Sequence, residues 1–193
     1  NCVIGPCQIS GIALHNVECK LDPGYFFHKT EFVKCVEVGV KLMHSGVEAT
    51  FDECTFRECG LAIHCTNSIN LTVRKSDIAG TGKRREKTKN CTGIYLQNSS
   101  EANILGCKFY NHFKAIQLDS SKLQGEEEST IESCQGSCIY ADGKTTKITK
   151  LISWKFSKCG LERANNCLYA GITAVNGASA YLEKCRFTEC NTS

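Results

Sequence analysis

The chain has 193 residues, with 23 Lys and Arg against 20 Asp and Glu for a formal net charge of +3, 41% hydrophobic residues, 2 prolines and 15 cysteines. That balance excludes a disordered chain and suits one domain over residues 1–193. A charge of +3 also makes nucleic acid an unexpected partner, because phosphate-binding domains carry a much stronger basic imbalance on one face. Membrane insertion is not expected either, since no run of 18 or more apolar residues occurs.

The opening residues, NCVIGPCQIS, lack the charged and apolar regions of a signal peptide, so any export signal is expected to lie outside this sequence. They hold instead the first copy of a motif. Ile4 stands two residues after Cys2 and three before Cys7, and the same arrangement recurs as CTFREC around Phe56 and CRFTEC around Phe187. Taken in chain order the anchors are Ile4, Phe32, Phe56, Ile78, Phe109, Ile131, Phe156 and Phe187, in steps of 22 to 31 residues. Three residues after them come Cys7, Cys35, Cys59, Thr81, His112, Cys134, Cys159 and Cys190, so cysteine marks a repeat position. A second anchor follows the first through the chain: Ile12, Val40, Ile63, Ile94, Ile116, Ile139 and Ile172. The return between the two is short except at residues 80–93 and 160–171, which read as inserted loops leaving from one corner.

A unit of about 22 residues, with short period-2 segments broken by Gly, Asn and Ser, is too small for a pair of helices. It suits one coil of a parallel β-helix, an all-β solenoid of about eight rungs with interior ladders of cysteine and of Phe or Ile. Thiols and compact apolar groups tolerate identical neighbours above and below.

On these rungs the whole chain resembles the right-handed parallel β-helix superfamily that includes the pectin lyases. Its cysteine-rich rungs, ECTFREC and KCRFTEC, look most like two non-enzymatic groups: the adenovirus large early-region transforming protein with its related capsid protein, and intracellular scaffolds of the Nessun Dorma type. The resemblance to the second group implies a scaffold associated with cell division and glycan binding.

Enzymes of this fold cluster carboxylates on an outer face, and glycoside hydrolysis needs two carboxyl groups within about 10 Å. The five Asp, at 22, 52, 77, 119 and 142, form no DxD phrase, and Asp52 and Asp77 read as solvated outer or turn positions. No catalytic residue, cofactor or metal is therefore expected. The recurring C-x4-C pair is wider than the CxxC of zinc sites, and its two sulfurs are expected to point to different places; His112 in the cysteine column reads as a hydrogen-bonded core residue. Parallel Cβ vectors make stacked free thiols a better expectation than stacked disulfides, which favours a reducing intracellular compartment. Four sequons, Asn70, Asn90, Asn98 and Asn191, favour the alternative of secretion.

Function is then expected on the surface. The residue after each second anchor points outward, giving a column of Ala13, Lys41, His64, Tyr95, Gln117, Tyr140 and Thr173. Tyr95 and Tyr140 around Gln117 could anchor a protein or stack on sugars. In the first insertion Lys83, Arg84, Arg85, Lys87 and Lys89 surround one acid, Glu86, and could hold an acidic segment. The expected function is a non-enzymatic scaffold for a protein partner, or for self-association through the rod ends. Glycan binding through the tyrosine face is the alternative, and polysaccharide cleavage the third reading.

Overall fold

The computed structural model describes residues 2–15, 25–43, 48–67, 69–81, 91–160 and 170–190. Their strands form three sheets, of eight, seven and seven strands, in which every pairing is parallel and joins strands one coil apart. The chain is thus a β-helix, each coil contributing one strand to each sheet. The first sheet carries the first anchors, and all eight lie in register, from Ile4 on Phe32 through to Phe156 on Phe187. The second sheet does the same for the second anchors, from Ile12 to Ile172. The third sheet runs from Tyr25–His28 to Ser179–Glu183 and was not separately anticipated. Apolar positions two apart, such as Leu71 and Val73 or Ala102 and Ile104, turn its inner face to the same core.

The corners explain why cysteine marks the repeat. Between the third and first sheets single residues adopt positive φ, at Lys29, Glu53, Lys75, Gly106, Ser153 and Lys184; between the first and second sheets Lys34, Glu58, Asn111, Lys158 and Glu189 do so. This left-handed conformation is uncommon for Lys and Glu. Here its cost is offset because the corner amides still donate to the next coil, as Lys29 to the Asp52 carbonyl at 3.0 Å and Lys75 to that of Leu105 at 2.8 Å. The sharp bend turns one carbonyl toward the interior, and the next residue supplies a small donor to it. Cys54 Sγ donates to Asp52, Ser76 Oγ to Arg74, Cys107 Sγ to Leu105 and Cys185 Sγ to Glu183. At the other corner Cys35, Cys59 and Cys190 donate to Val33, Arg57 and Thr188. Cysteine, serine and threonine exchange at these places because each offers one short donor in an apolar wall.

The core changes along the rod. Phe27 stacks on Phe51 and Phe32 on Phe56, both at 4.7 Å, and edge-on contacts join the two stacks. Burying each ring stabilises the fold by about 1.5–3 kcal/mol. Further along, Trp154 occupies a corner position otherwise held by Cys, Ser or Thr, and its Nε1 donates to the Gly125 carbonyl at 3.2 Å. A Cβ at Gly125 would lie 2.6 Å from the indole, so this ring requires glycine there.

Two expectations need correction. Asp52 is not a solvated outer residue: it is 6% exposed, accepts from Arg74 Nε at 2.7 Å and Nη2 at 3.1 Å, and lies 3.0 Å from His28 Nδ1. The parallel register stacks His28, Asp52 and Arg74 on successive coils, and the guanidinium holds the Asp52 carboxyl below the usual range. Cys159 is not a free thiol. It forms a disulfide with Cys138, 21 residues earlier, and not with its in-register neighbour Cys134. Residues directly above one another keep parallel Cβ vectors, whereas Cys138 enters from beside the neighbouring sheet, just before its strand Ile139–Asp142. The remaining eleven described cysteines are free, including the in-register pair Cys7 and Cys35.

Candidate recognition face

The outer face of the second sheet is built by register alone. Ala13, Lys41, His64, Tyr95, Gln117, Tyr140 and Thr173 are paired neighbours on successive strands, in the expected order. Alternation sets their direction, since Ile94 and Leu96 are fully buried on either side of a half-buried Tyr95. One end of the column departs from expectation: Thr173 is 9% exposed and its hydroxyl lies 2.6 Å from that of buried Ser137.

The side chains of the column stack on one another. The His64 and Tyr95 rings are 5.3 Å apart and nearly parallel, at 7°. Gln97 locks this pair, its Oε1 lying 2.9 Å from His64 Nε2 while its Nε2 donates to the Tyr95 hydroxyl at 2.7 Å. That network places the imidazole proton on Nε2. Burial, with a smaller effect from Lys41, pushes the His64 pKa down, so the ring is neutral near pH 7. Lys114 Nζ sits 4.1 Å from the centre of the Tyr140 ring and donates to Gln117 Oε1 at 3.2 Å.

A second column on the same face was missed in the sequence. Gln97, Asp119 and Asp142 are in-register neighbours, which puts two carboxylates on adjacent strands about 4.8 Å apart. Burial first, and then the charges of Asp119 and Asp142, raise the Tyr95 pKa. Asn176 Nδ2 donates to Asp142 Oδ1 at 2.7 Å. The two Asp are 23 residues apart, and only the knowledge that each stands two after a column member, Gln117 and Tyr140, would have paired them.

The basic insertion does not enter this description: Lys83, Arg84, Arg85, Lys87 and Lys89 lie outside the described residues, as do sequons Asn90 and Asn191. Sequon Asn98 donates from Nδ2 to Thr66 and Asn67 at a corner, and sequon Asn70 is exposed at the start of a third-sheet strand. That strand borders a shallow polar groove of about 490 Å³, lined among others by Thr72, Asn103, Lys122 and Gln124. His112 is the hydrogen-bonded core residue expected, its Nε2 donating to the Ile78 carbonyl at 3.0 Å, with burial lowering its pKa to about 4. Among the described residues no helix is long and apolar enough to cross a membrane.

The family model for a right-handed β-helix region matches residues 1–125. The chain belongs to that family. No curated protein and no solved structure matches it. The family gives the hand of the coil, and the strand pairing carries the three sheets on through the remaining coils.

Proposed function

We propose that this β-helix is a non-enzymatic recognition scaffold, and that the His64 to Tyr140 face of the second sheet binds a protein partner. The observation that supports it is the way the rings stand. Sugar binding by stacking needs an aromatic face open to solvent, whereas one face of Tyr95 is covered by His64 and the ring of Tyr140 by the Lys114 ammonium. The column therefore offers ring edges, a hydroxyl and amides, with Lys114 and Asp119 on one strand, Asp142 on the next, and Lys41 further along the same sheet. Tyrosine is enriched at protein interfaces, and charged groups around it suit their polar rim. The rigid coil holds these groups at fixed spacing, which lowers the entropy cost of ordering them on binding. Likeness of the rungs to the adenovirus or Nessun Dorma-type proteins is in keeping with this reading.

Polysaccharide cleavage is the reading that the Asp119 and Asp142 pair favours, because register brings onto adjacent strands two carboxylates that no DxD phrase joins. The two readings separate experimentally. In quantitative capture from source lysate, beside a glycan array and a polysaccharide cleavage assay, the Tyr95→Ala/Tyr140→Ala variant is expected to lose a specific protein by a factor of about 5–30, or about 1–2 kcal/mol, with unchanged melting temperature. Equal capture by parent and variant would overturn the proposal. So would glycan binding that the same variant abolishes, or cleavage abolished by Asp119→Asn.

A further inference from the structure

One cluster of chemistry lies away from that face and is not explained by the corner motif. Cys134, Cys138 and Cys159 are all buried, and their three sulfurs lie within 4.8 Å of one another. They come from different places: Cys134 and Cys159 are in-register neighbours on the first sheet, and Cys138 immediately precedes the second-sheet strand Ile139–Asp142. A column gives sulfurs in a line, as at Cys7, Cys35 and Cys59; the residue from the adjoining sheet turns the line into a triangle.

In the oxidised chain two of these sulfurs are joined. A dithiol reductant can supply two electrons and two protons to the Cys138–Cys159 bond and become a disulfide itself, leaving three thiols facing one another. A planar three-coordinate site with metal–thiolate bonds of about 2.3 Å has its sulfurs about 4.0 Å apart. Reduction therefore has to let the joined Cys138 and Cys159 sulfurs part to about that spacing, inside the 4.8 Å that already encloses all three. Cys134 and Cys159 are held by their strand ladder, and Cys138 by backbone bonds to Ile116 and Ala170, so the grouping does not depend on a metal to form.

We propose that the reduced chain binds one Cu(I) ion in a three-coordinate site made by Cys134, Cys138 and Cys159, and that oxidation to the Cys138–Cys159 disulfide abolishes the site. Thiolates select soft cations, Cu(I) and Zn(II) foremost. Structural zinc is almost always held by four ligands, and no fourth Cys, His, Asp or Glu among the described residues joins the group. Cu(I) accepts three ligands in a plane. Coordination by three thiolates releases three protons to solvent, so the site holding one Cu(I) carries a net charge of −2 that the backbone donors of the coil have to solvate. Because the three residues are buried, the ion enters during folding or a local opening of the coil.

The test uses the whole chain, refolded anaerobically with one equivalent of Cu(I), in competition with a Cu(I)-selective chromophoric chelator. Reduced wild type is expected to keep one Cu(I) per chain and to show an ultraviolet thiolate-to-copper charge-transfer band, whereas wild type carrying the disulfide keeps none. That comparison needs no variant. Cys134→Ser, which leaves the disulfide pair in place, and Cys138→Ser should each weaken retention at least tenfold, while Cys65→Ser, buried elsewhere, should not; circular dichroism checks that each folds. Equal retention by oxidised and reduced protein, equal retention by folded Cys134→Ser and wild type, or displacement of Cu(I) by one equivalent of Zn(II) would each overturn the proposal.

Discussion

Two stretches of the rod fill the same columns with different chemistry. Near Phe32 and Phe56 the interior is a pair of aromatic stacks, and the corner above it pairs an anion, Asp52, with Arg74 and His28. Near Phe109 and Ile131 the column holds one ring and one aliphatic residue before Trp154 and Phe156, and its corner holds neutral His112, Cys134 and a disulfide. The first stretch uses repeat positions to fill volume, the second to place polar and sulfur groups inside a dry wall. Backbone register is the same in both. The coil is therefore a frame whose ladder is satisfied by the main chain, and the stacked side chains set its local stability and chemistry.

The widest separation between the two stretches is expected from truncation. Phe56→Ala removes a ring in face-to-face contact with Phe32 and edge contact with Phe51, and should cost about 3–5 kcal/mol in urea unfolding. Ile131→Val, in the same column of the second stretch, should cost about 0.5–1.5 kcal/mol. Equal losses would mean that the aromatic stacks add nothing beyond their column.

A smaller difference should separate thiols by their hydrogen bonds. Cys107 Sγ donates to the carbonyls of Val73 and Leu105, so a serine hydroxyl can replace it, and Cys107→Ser should cost under about 1 kcal/mol. Cys65 is fully buried on the second sheet and no described hydrogen bond engages its thiol, so Cys65→Ser should strand a hydroxyl at about 1–3 kcal/mol. The reverse order, by thermal or chemical unfolding, would remove the explanation offered for cysteine at the corners.

A difference is also expected from pH, and its window differs between the stretches. His112 has a folded pKa of about 4 against an ordinary 6.5, so the unfolded chain binds its proton first. Its contribution is full above pH 6.5 and is lost as pH falls from there to about 4. Asp52 is also depressed, by Arg74, from an ordinary 3.8; its contribution is full above that value and is lost only as pH falls through the lower folded pKa. Stability measured against pH should therefore lose slope between pH 6.5 and 4 in His112→Gln, and only below pH 3.8 in Asp52→Asn. A matching change in both variants over one window would show that neither group titrates as its surroundings dictate.

Much of this was legible in the order of residues. The two anchor columns could be read because a parallel coil repeats its pattern at nearly constant spacing, and Phe32, Phe56 and Ile63, Ile94 stand in the register that spacing implies. The His64 to Tyr140 column followed, since side-chain alternation puts the residue after an inward one outside. Its stacking could not be read: whether Tyr95 shows a face or an edge depends on His64 and Gln97, which lie on an adjacent strand and on the same strand.

What the tertiary structure alone decided lies between columns. Asp119 meets Asp142, Asp52 meets Arg74 and His28, and Cys138 reaches Cys159 because strands 21 to 24 residues apart in the chain come within one strand spacing, and in the last case because two sheets meet at a corner. Repeat spacing determines which residues share a column. It carries no information about how far a neighbouring sheet leans in, or about which corner residue takes the left-handed turn that aims a carbonyl inward, because those depend on the whole coil closing around its core.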